Sequence, residues 1–260
     1  MTVEMNISLQ TDERIAVVTG AAGGIGGAIA RRLARAGMHV VVTDLSVEAA
    51  QAVATGIAEE GNAATAMSLD VGNIEAIADF FAKLDEQFGR CDALVNNAGV
   101  ASLTPFEQLP VDAWRRTFEI NVTGPLALAQ HAVARMKARG WGRIINIASI
   151  SGIRAGAGRA GYGTSKAALI ALTRQMAVEL AVHGITVNAV APGPIETALA
   201  RNHSQAAREA YLRQVPMKRY GMPDEVAAAV AFFATDDAAY VTGQTLAVDG
   251  GFVVAGMLEA

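Results

Sequence analysis

Two side chains able to exchange a proton stand four residues apart in AGYGTSKAAL (160–169): Tyr162 and Lys166. On a helix, residues at this spacing share one face. A phenol has an ordinary pKa of about 10, too high for acid–base work near neutrality. A cation within about 4–6 Å favours the phenolate. Lowering the pKa by ~2–3 units takes ~3–4 kcal/mol, which one ammonium can supply at an effective dielectric near 20. The pair suits general acid–base chemistry if something reactive sits beside it. Alone, it is equally an accidental helical pair.

The elements that would position such a pair alternate along the chain. Apolar, β-branched runs at 14–20, 38–44, 62–71 and 91–99 read as strands, and 25–37, 46–61 and 73–89 between them read as helices. Ser46 and Asn73 are N-cap candidates for the second and third helices. Beyond them, a long helix fits 112–138, a strand 142–149, a helix 161–183, a strand 184–193, a short helix 224–235 and a last strand 245–251. Strands apolar throughout belong to a parallel sheet covered on both faces. The expectation is α/β: a single Rossmann-type, doubly wound domain of about seven parallel strands in three layers, α/β/α. Residues 1–12 read as an N-terminal extension. Residues 194–222 lack a clear period and read as a mobile substrate lid.

TGAAGGIG (19–26) follows the first strand and opens the first helix. Gly20, Gly24 and Gly26 allow a sharp turn and close backbone approach, and the helix N-terminus offers N–H groups to a pyrophosphate. In this strand–turn–helix setting the glycine pattern is a dinucleotide signature. Asp44 ends the second strand, where an acid meets the ribose hydroxyls of NAD and repels the extra phosphate of NADP. Gly23 and Leu45 occupy the nearby places where a basic residue would offset it. NAD is the expected cofactor, NADP less so.

Other classes are disfavoured. A formal net charge of −4 leaves no basic surplus for nucleic acid or anionic lipid. His39, His131, His183 and His203 lie far apart and form no metal-ligand spacing. No apolar run approaches the ~20 residues that span a bilayer, and the start has no apolar h-region. The single Cys91 permits no intramolecular disulfide and reads as a buried strand residue. A cytoplasmic protein is expected.

TGAAGGIG, NNAG (96–99), YGTSK (162–166) and PG (192–193) together resemble the short-chain dehydrogenase/reductase family, over roughly 12–254. Ser149 lies 13 residues before Tyr162, and Asn121 lies 28 before Ser149; both spacings match the family's Asn–Ser–Tyr–Lys tetrad. The resemblance implies that Asn121, Ser149, Tyr162 and Lys166 are catalytic. It implies cofactor contacts from Gly20, Gly24, Ile25, Gly26 and Asp44, from Asp70 and Val71 at the adenine, from Asn97, Ala98 and Gly99 under the nicotinamide ribose, and from Ile195 and Thr197 at the carboxamide. Tyr162 and Lys166 complete that cofactor set. Ser149 would orient the reacting oxygen, Lys166 would hold the ribose and tune Tyr162, and Asn121 would help hold a water leading to Lys166. Singly, Ser149 also reads as a strand-end hydroxyl and Asn121 as a polar residue bracing a neighbouring strand.

The expected activity is the NAD-dependent interconversion of a secondary alcohol or polyol and its ketone. A 3-oxoacyl-(acyl-carrier-protein) reductase is the alternative, disfavoured by Asp44 and by Val178, which falls where those reductases carry a docking arginine. A non-catalytic nicotinamide-binding sensor is the alternative of another class, and an intact tetrad disfavours it. No G-x-S-x-G elbow surrounds Ser149, so a serine hydrolase is not expected. Arg154 and Arg159 flank the small-residue loop 152–161 and stand either solvated or facing a substrate anion. A homotetramer is expected from the family and from the apolar C-terminal FVVAGMLEA (252–260).

Overall fold

This computed structural model of the protein describes residues 13–198, 200–202 and 204–256. The expected N-terminal extension, His203, part of the expected lid and the last four residues of the C-terminal tail thus lie outside the described residues. Among those described, seven parallel strands form one sheet: β1 (Ile15–Thr19), β2 (His39–Asp44), β3 (Ala64–Ser68), β4 (Ala93–Asn96), β5 (Gly142–Ile147), β6 (Ile185–Pro192) and β7 (Thr245–Val248). Their order is β3-β2-β1-β4-β5-β6-β7. The helices are α1 (Gly24–Arg35), α2 (Val47–Glu59), α3 (Ile74–Gln87), α4 (Val111–Phe118), α5 (Gly124–Arg139), α6 (Ala160–Leu180), α7 (Gln205–Gln214) and α8 (Pro223–Ala234).

Neighbouring strand residues point to opposite faces, and here both faces are buried. Ala16 and Val18 of β1 pack with Ile29 and Leu33 of α1 and with Val226 and Val230 of α8. Ile15 and Val17 pack on the other face with Phe80, Phe81, Leu128 and Met136 from α3 and α5. Central β1 pairs with both β2 and β4, Val18 opposite Val42 and Val95. The strand order reverses between β1 and β4, and in open α/β sheets ligand crevices lie at the carboxyl ends of the strands at such a reversal. The Ser46 hydroxyl accepts the Ala49 N–H (3.2 Å), and the Asn73 side chain accepts those of Glu75 and Ala76 (3.0 and 3.2 Å).

Four sequence expectations need correction. The helix expected over 112–138 is interrupted: Glu119–Thr123 forms one widened π-type turn between α4 and α5. A Cβ on Gly124 would lie 2.2 Å from the Val71 carbonyl oxygen, so α5 meets the loop after β3 backbone to backbone. Cys91 is buried but precedes β4 rather than lying in it, and its thiol faces the Ala93 carbonyl (3.7 Å); burial pushes its pKa far up. The stretch 194–222 holds the ten-residue α7, and its two ends are tied by the Glu196 N–H to Gly221 carbonyl bond (2.8 Å) and that from Gly221 N–H to Pro194 carbonyl (2.9 Å). The last strand ends at Val248, because Gly250 and Gly251 adopt positive φ.

At the opposite rim of the sheet, the Trp141 ring lies between the guanidiniums of Arg14 and Arg143, 3.9 and 4.2 Å from its centroid. Its indole N–H donates to Asp236 (2.9 Å). No helix among the described residues is long and apolar enough to cross a membrane.

Candidate active site

The glycine turn after β1 is held by short polar groups. The Thr19 hydroxyl accepts the backbone N–H groups of Asn97 and Ala98, both at 3.0 Å. The Asn97 amide donates to the carbonyls of Thr19 and Gly20, both at 2.9 Å. Asn97 thus locks the loop after β4 to the turn after β1, and its side chain faces the protein backbone. Gly20 has φ +61, and a Cβ there would lie 2.8 Å from the Ala98 Cα; one on Gly26 would lie 2.3 Å from the Gly20 carbonyl. Ile25 packs back against the core beneath α1.

The residues present fit a dinucleotide. The N-terminus of α1 has no side-chain cap and no acid in its first turn, whereas α2, α3 and α7 are capped by Ser46, Asn73 and Ser204. Uncapped N–H groups and the helix dipole suit a pyrophosphate. Asp44, at the end of β2, accepts the Ala22 N–H at 3.1 Å and so leans over the turn. Asp70 accepts the Gly72 N–H (2.8 Å), and Val71 is buried beside α5. Ile195 is buried and bridges to Gly221. The Thr197 methyl lies 3.7 Å from where a Cβ of Gly24 would be, so Thr197 overhangs the turn.

The tetrad residues come together at the first turns of α6. Tyr162 is half-buried and hydrogen-bonds the Ser149 hydroxyl, which also accepts the Ser151 N–H at 3.1 Å. Lys166 is 4% exposed, donates to the Ile147 carbonyl at 2.8 Å, and holds its ammonium 5.9 Å from the centre of the Tyr162 ring. Its two other N–H donors have no protein acceptor among the described residues. Asn121 is fully buried in the widened turn. Its side chain donates to the Val100 carbonyl (2.9 Å) and the Ser165 hydroxyl (3.0 Å), and accepts the Val100 N–H (2.9 Å). Ser165 in turn donates to the Tyr162 carbonyl at 2.7 Å. A Cβ on Gly99 would sit 3.1 Å from Asn121 Oδ1 and 3.3 Å from Lys166 Nζ. Only a glycine leaves that space open, and both polar atoms border it.

The protein's own groups set the starting electrostatics of the site. The protein's own groups leave the Tyr162 phenol above its ordinary pKa, because burial outweighs the Ser149 hydrogen bond and the Arg159 charge that pull it down. Lys166 is itself pushed down to about 8 by burial. Besides the Lys166 ammonium, Arg159 bears on Tyr162 and pulls its pKa down, a contribution the Tyr–Lys spacing does not reveal. Its guanidinium donates to the Ser151 hydroxyl (3.3 Å) and to the Tyr211 hydroxyl of α7. Arg154 turns outward to the Phe252 carbonyl (3.1 Å).

Sequence reasoning missed the bracing residues. Asn96 donates to Asn146 (2.8 Å), Asn146 to Thr173 (2.8 Å), and Thr173 to the Leu169 carbonyl (2.8 Å). This buried chain runs from β4 through β5 to α6. A polar residue in an otherwise apolar strand was its one sequence signal. Among the described residues no three metal-ligating side chains come together.

A family model described as enoyl-(acyl carrier protein) reductase matches residues 20–253. The chain is 43% identical over 241 residues to the cis-4-hydroxycyclohexanecarboxylate dehydrogenase of Sinomonas cyclohexanicum, covering 92% of this chain and 96% of that one. It is 38% identical over 248 residues to a 3-oxoacyl-(acyl-carrier-protein) reductase of Aquifex aeolicus, covering 95% and 99%. The crystal structure of a gluconate 5-dehydrogenase from Burkholderia cenocepacia, in complex with NADP and tartrate, superposes with a TM-score of 0.90 at 35% identity, covering 95% and 97%. Likeness over nearly the full length, joined to this sheet order and glycine turn, establishes that the chain belongs to the short-chain dehydrogenase/reductase family of oxidoreductases.

Proposed function

We propose that the protein is an NAD-preferring oxidoreductase interconverting a secondary alcohol, polyols included, and its ketone. The observation that carries this reading is the half-buried Tyr162 phenol, bonded to Ser149 and backed by the buried Lys166 ammonium. When bound, the nicotinamide accepts or supplies the hydride. Tyr162 takes the alcohol proton in oxidation and returns it in reduction. Ser149 donates a hydrogen bond to the reacting oxygen, where charge develops. The two remaining Lys166 donors hold the ribose hydroxyls. A water in the space above Gly99, bonded to Lys166 and to the second lone pair of Asn121 Oδ1, would carry protons onward.

The NAD preference rests on Asp44, which makes no ion pair among the described residues and is followed by Leu45, 70% exposed. A 2′-phosphate there would meet an uncompensated carboxylate. Asp44→Ala combined with Leu45→Arg is expected to raise the NADP over NAD ratio of kcat/KM by about 10–100-fold, the size of one or two charged hydrogen bonds. An unchanged ratio would remove Asp44 from the argument.

A carrier-protein reductase remains the second reading, favoured by the relative of that activity. Val178, 78% exposed on α6, offers such a carrier no cation. The names of the Sinomonas and Burkholderia relatives, both dehydrogenases of hydroxy acids, support the alcohol–ketone reading. A panel of secondary alcohols, ketones and a 3-oxoacyl thioester, assayed with NAD(H) and NADP(H) at 340 nm, separates the readings. Tight dinucleotide binding without turnover across the panel would favour a sensor.

A homotetramer in the cytoplasm is part of this proposal. The exposed Val178 and Val182, the latter 83% exposed, and the open sheet edge at β7 support subunit contacts. Size-exclusion chromatography with light scattering is expected to give four chains; a monomer would overturn this.

A further inference from the structure

We propose that the substrate carries a carboxylate, bound by Arg159 together with the hydroxyls of Ser151 and Tyr211. The inference rests on the oxidoreductase reading and names the substrate class of that same site.

Arg159 differs from the other arginines of the molecule. Six more are not fully exposed: Arg14, Arg31, Arg90, Arg135, Arg143 and Arg208. Each of these six meets a carboxylate, respectively of Asp236, Glu60, Asp92, Asp85, Asp236 and Glu196. Arg159 is half-buried too, yet it has no carboxylate partner among the described residues. Its side-chain partners among the described residues are two neutral hydroxyls, of Ser151 at 3.3 Å and of Tyr211. A partly desolvated cation is costly unless an anion compensates it.

The place is set by the fold. Arg159 immediately precedes α6, three residues before Tyr162, and its charge is felt by the phenol. An anion held there lies at the mouth of the site, within the span of one small substrate whose other end reaches Tyr162. The far wall is aromatic: Tyr211 lies 6.0 Å from Tyr220 and 6.5 Å from Phe252, between ring centroids. A hydroxyl both donates and accepts. Ser151 and Tyr211 accept from Arg159, and the Ser151 hydroxyl can turn its proton toward a carboxylate that joins them on the guanidinium. The result is a fork of arginine N–H groups beside two hydroxyls, a pattern suited to a planar carboxylate. A thioester or a neutral polyol offers this pocket no charge. Arg154, by contrast, is exposed, and its guanidinium is directed to the Phe252 carbonyl.

The test uses matched probes. 4-Oxocyclohexanecarboxylate and its carboxamide are reduced with NADH or NADPH, by the wild type, Arg159→Leu and Arg159→Lys. The wild type is expected to favour the acid by about 10–100-fold in kcat/KM, the value of a charged hydrogen-bonded contact. Arg159→Leu should bring the acid-to-amide ratio near one, and Arg159→Lys should retain part of it. Equal use of acid and amide by the wild type, or a ratio untouched by Arg159→Leu, overturns the carboxylate while leaving the oxidoreductase reading standing. Calorimetric titration of cyclohexanecarboxylate into the NAD-loaded protein reads the same contact without turnover. Binding that Arg159→Leu weakens at least about tenfold supports the inference even if neither ketone is reduced, and places the failure on the activity. Binding indifferent to Arg159, or matched by cyclohexanecarboxamide, overturns it.

Discussion

Tyr162→Phe is expected to lower turnover by about 10²–10⁴-fold, the usual value of a positioned acid–base group, while dinucleotide binding persists. The substitution removes one oxygen atom. The ring keeps its place, because α6 is fixed by backbone and neighbouring side chains: Ser165 holds the Tyr162 carbonyl, and Asn121 holds Ser165. Lys166 keeps its bond to Ile147. What disappears is the proton carrier and its bond to Ser149. Stopped-flow measurement of hydride transfer, with dinucleotide affinity from fluorescence titration, separates the two quantities. Near-normal turnover in the variant would show that another group moves the proton.

Lys166→Met should give a more stable and almost inactive protein. Burial pushes the lysine from its ordinary 10.5 down to about 8. That difference of about 2.5 units corresponds to about 3 kcal/mol against the folded state when the lysine is charged. The folded-state value is depressed, so the folded protein binds fewer protons than the unfolded chain between about 8 and 10.5. The penalty is complete below about 8 and vanishes as the pH rises through that window. A methionine of similar length escapes it and loses about 1 kcal/mol with the bond to the Ile147 carbonyl. Urea unfolding at pH 7 should therefore find the variant about 2 kcal/mol more stable, and at pH 10.5 no more stable than the parent. A variant less stable at pH 7 would mean that the ammonium is satisfied where it sits. Loss of turnover by at least about a hundredfold should accompany the gain, the familiar opposition of stability and activity at a working site.

Much of the architecture is readable along the chain for a physical reason. A central parallel strand is buried on both faces, so Val40, Val41 and Val42 follow one another with no polar interruption. Ser46 and Asn73 announce the helices they cap, because capping is local. The glycine turn is equally legible, since a close approach tolerates no Cβ at Gly26. What depends on distant contacts leaves no such trace. EINVT (119–123) continues the helical pattern of its flanks, and the widened turn is seen only in the folded chain. The stretch around α7 is polar enough to hide its period. Arg159 and Tyr211 meet across 52 residues, so sequence spacing pairs Tyr162 with Lys166 and leaves open which of Arg154 and Arg159 turns inward. The burial that raises the phenol's pKa in the protein alone is likewise invisible in the sequence: desolvation is a property of the packed site.

The arginine-flanked indole at the far rim has a practical corollary. The chain contains only two tryptophans, 114 and 141. Trp114 packs on Phe118 within α4 with the two rings tilted by 30°, 4.6 Å between ring centroids, whereas Trp141 is clamped at the end of the sheet remote from the glycine turn. With Trp114→Phe, the intrinsic emission comes from Trp141 alone and reports cooperative melting of the sheet, largely deaf to what enters the crevice. Folding and ligand titrations then become two independent optical channels in one cuvette.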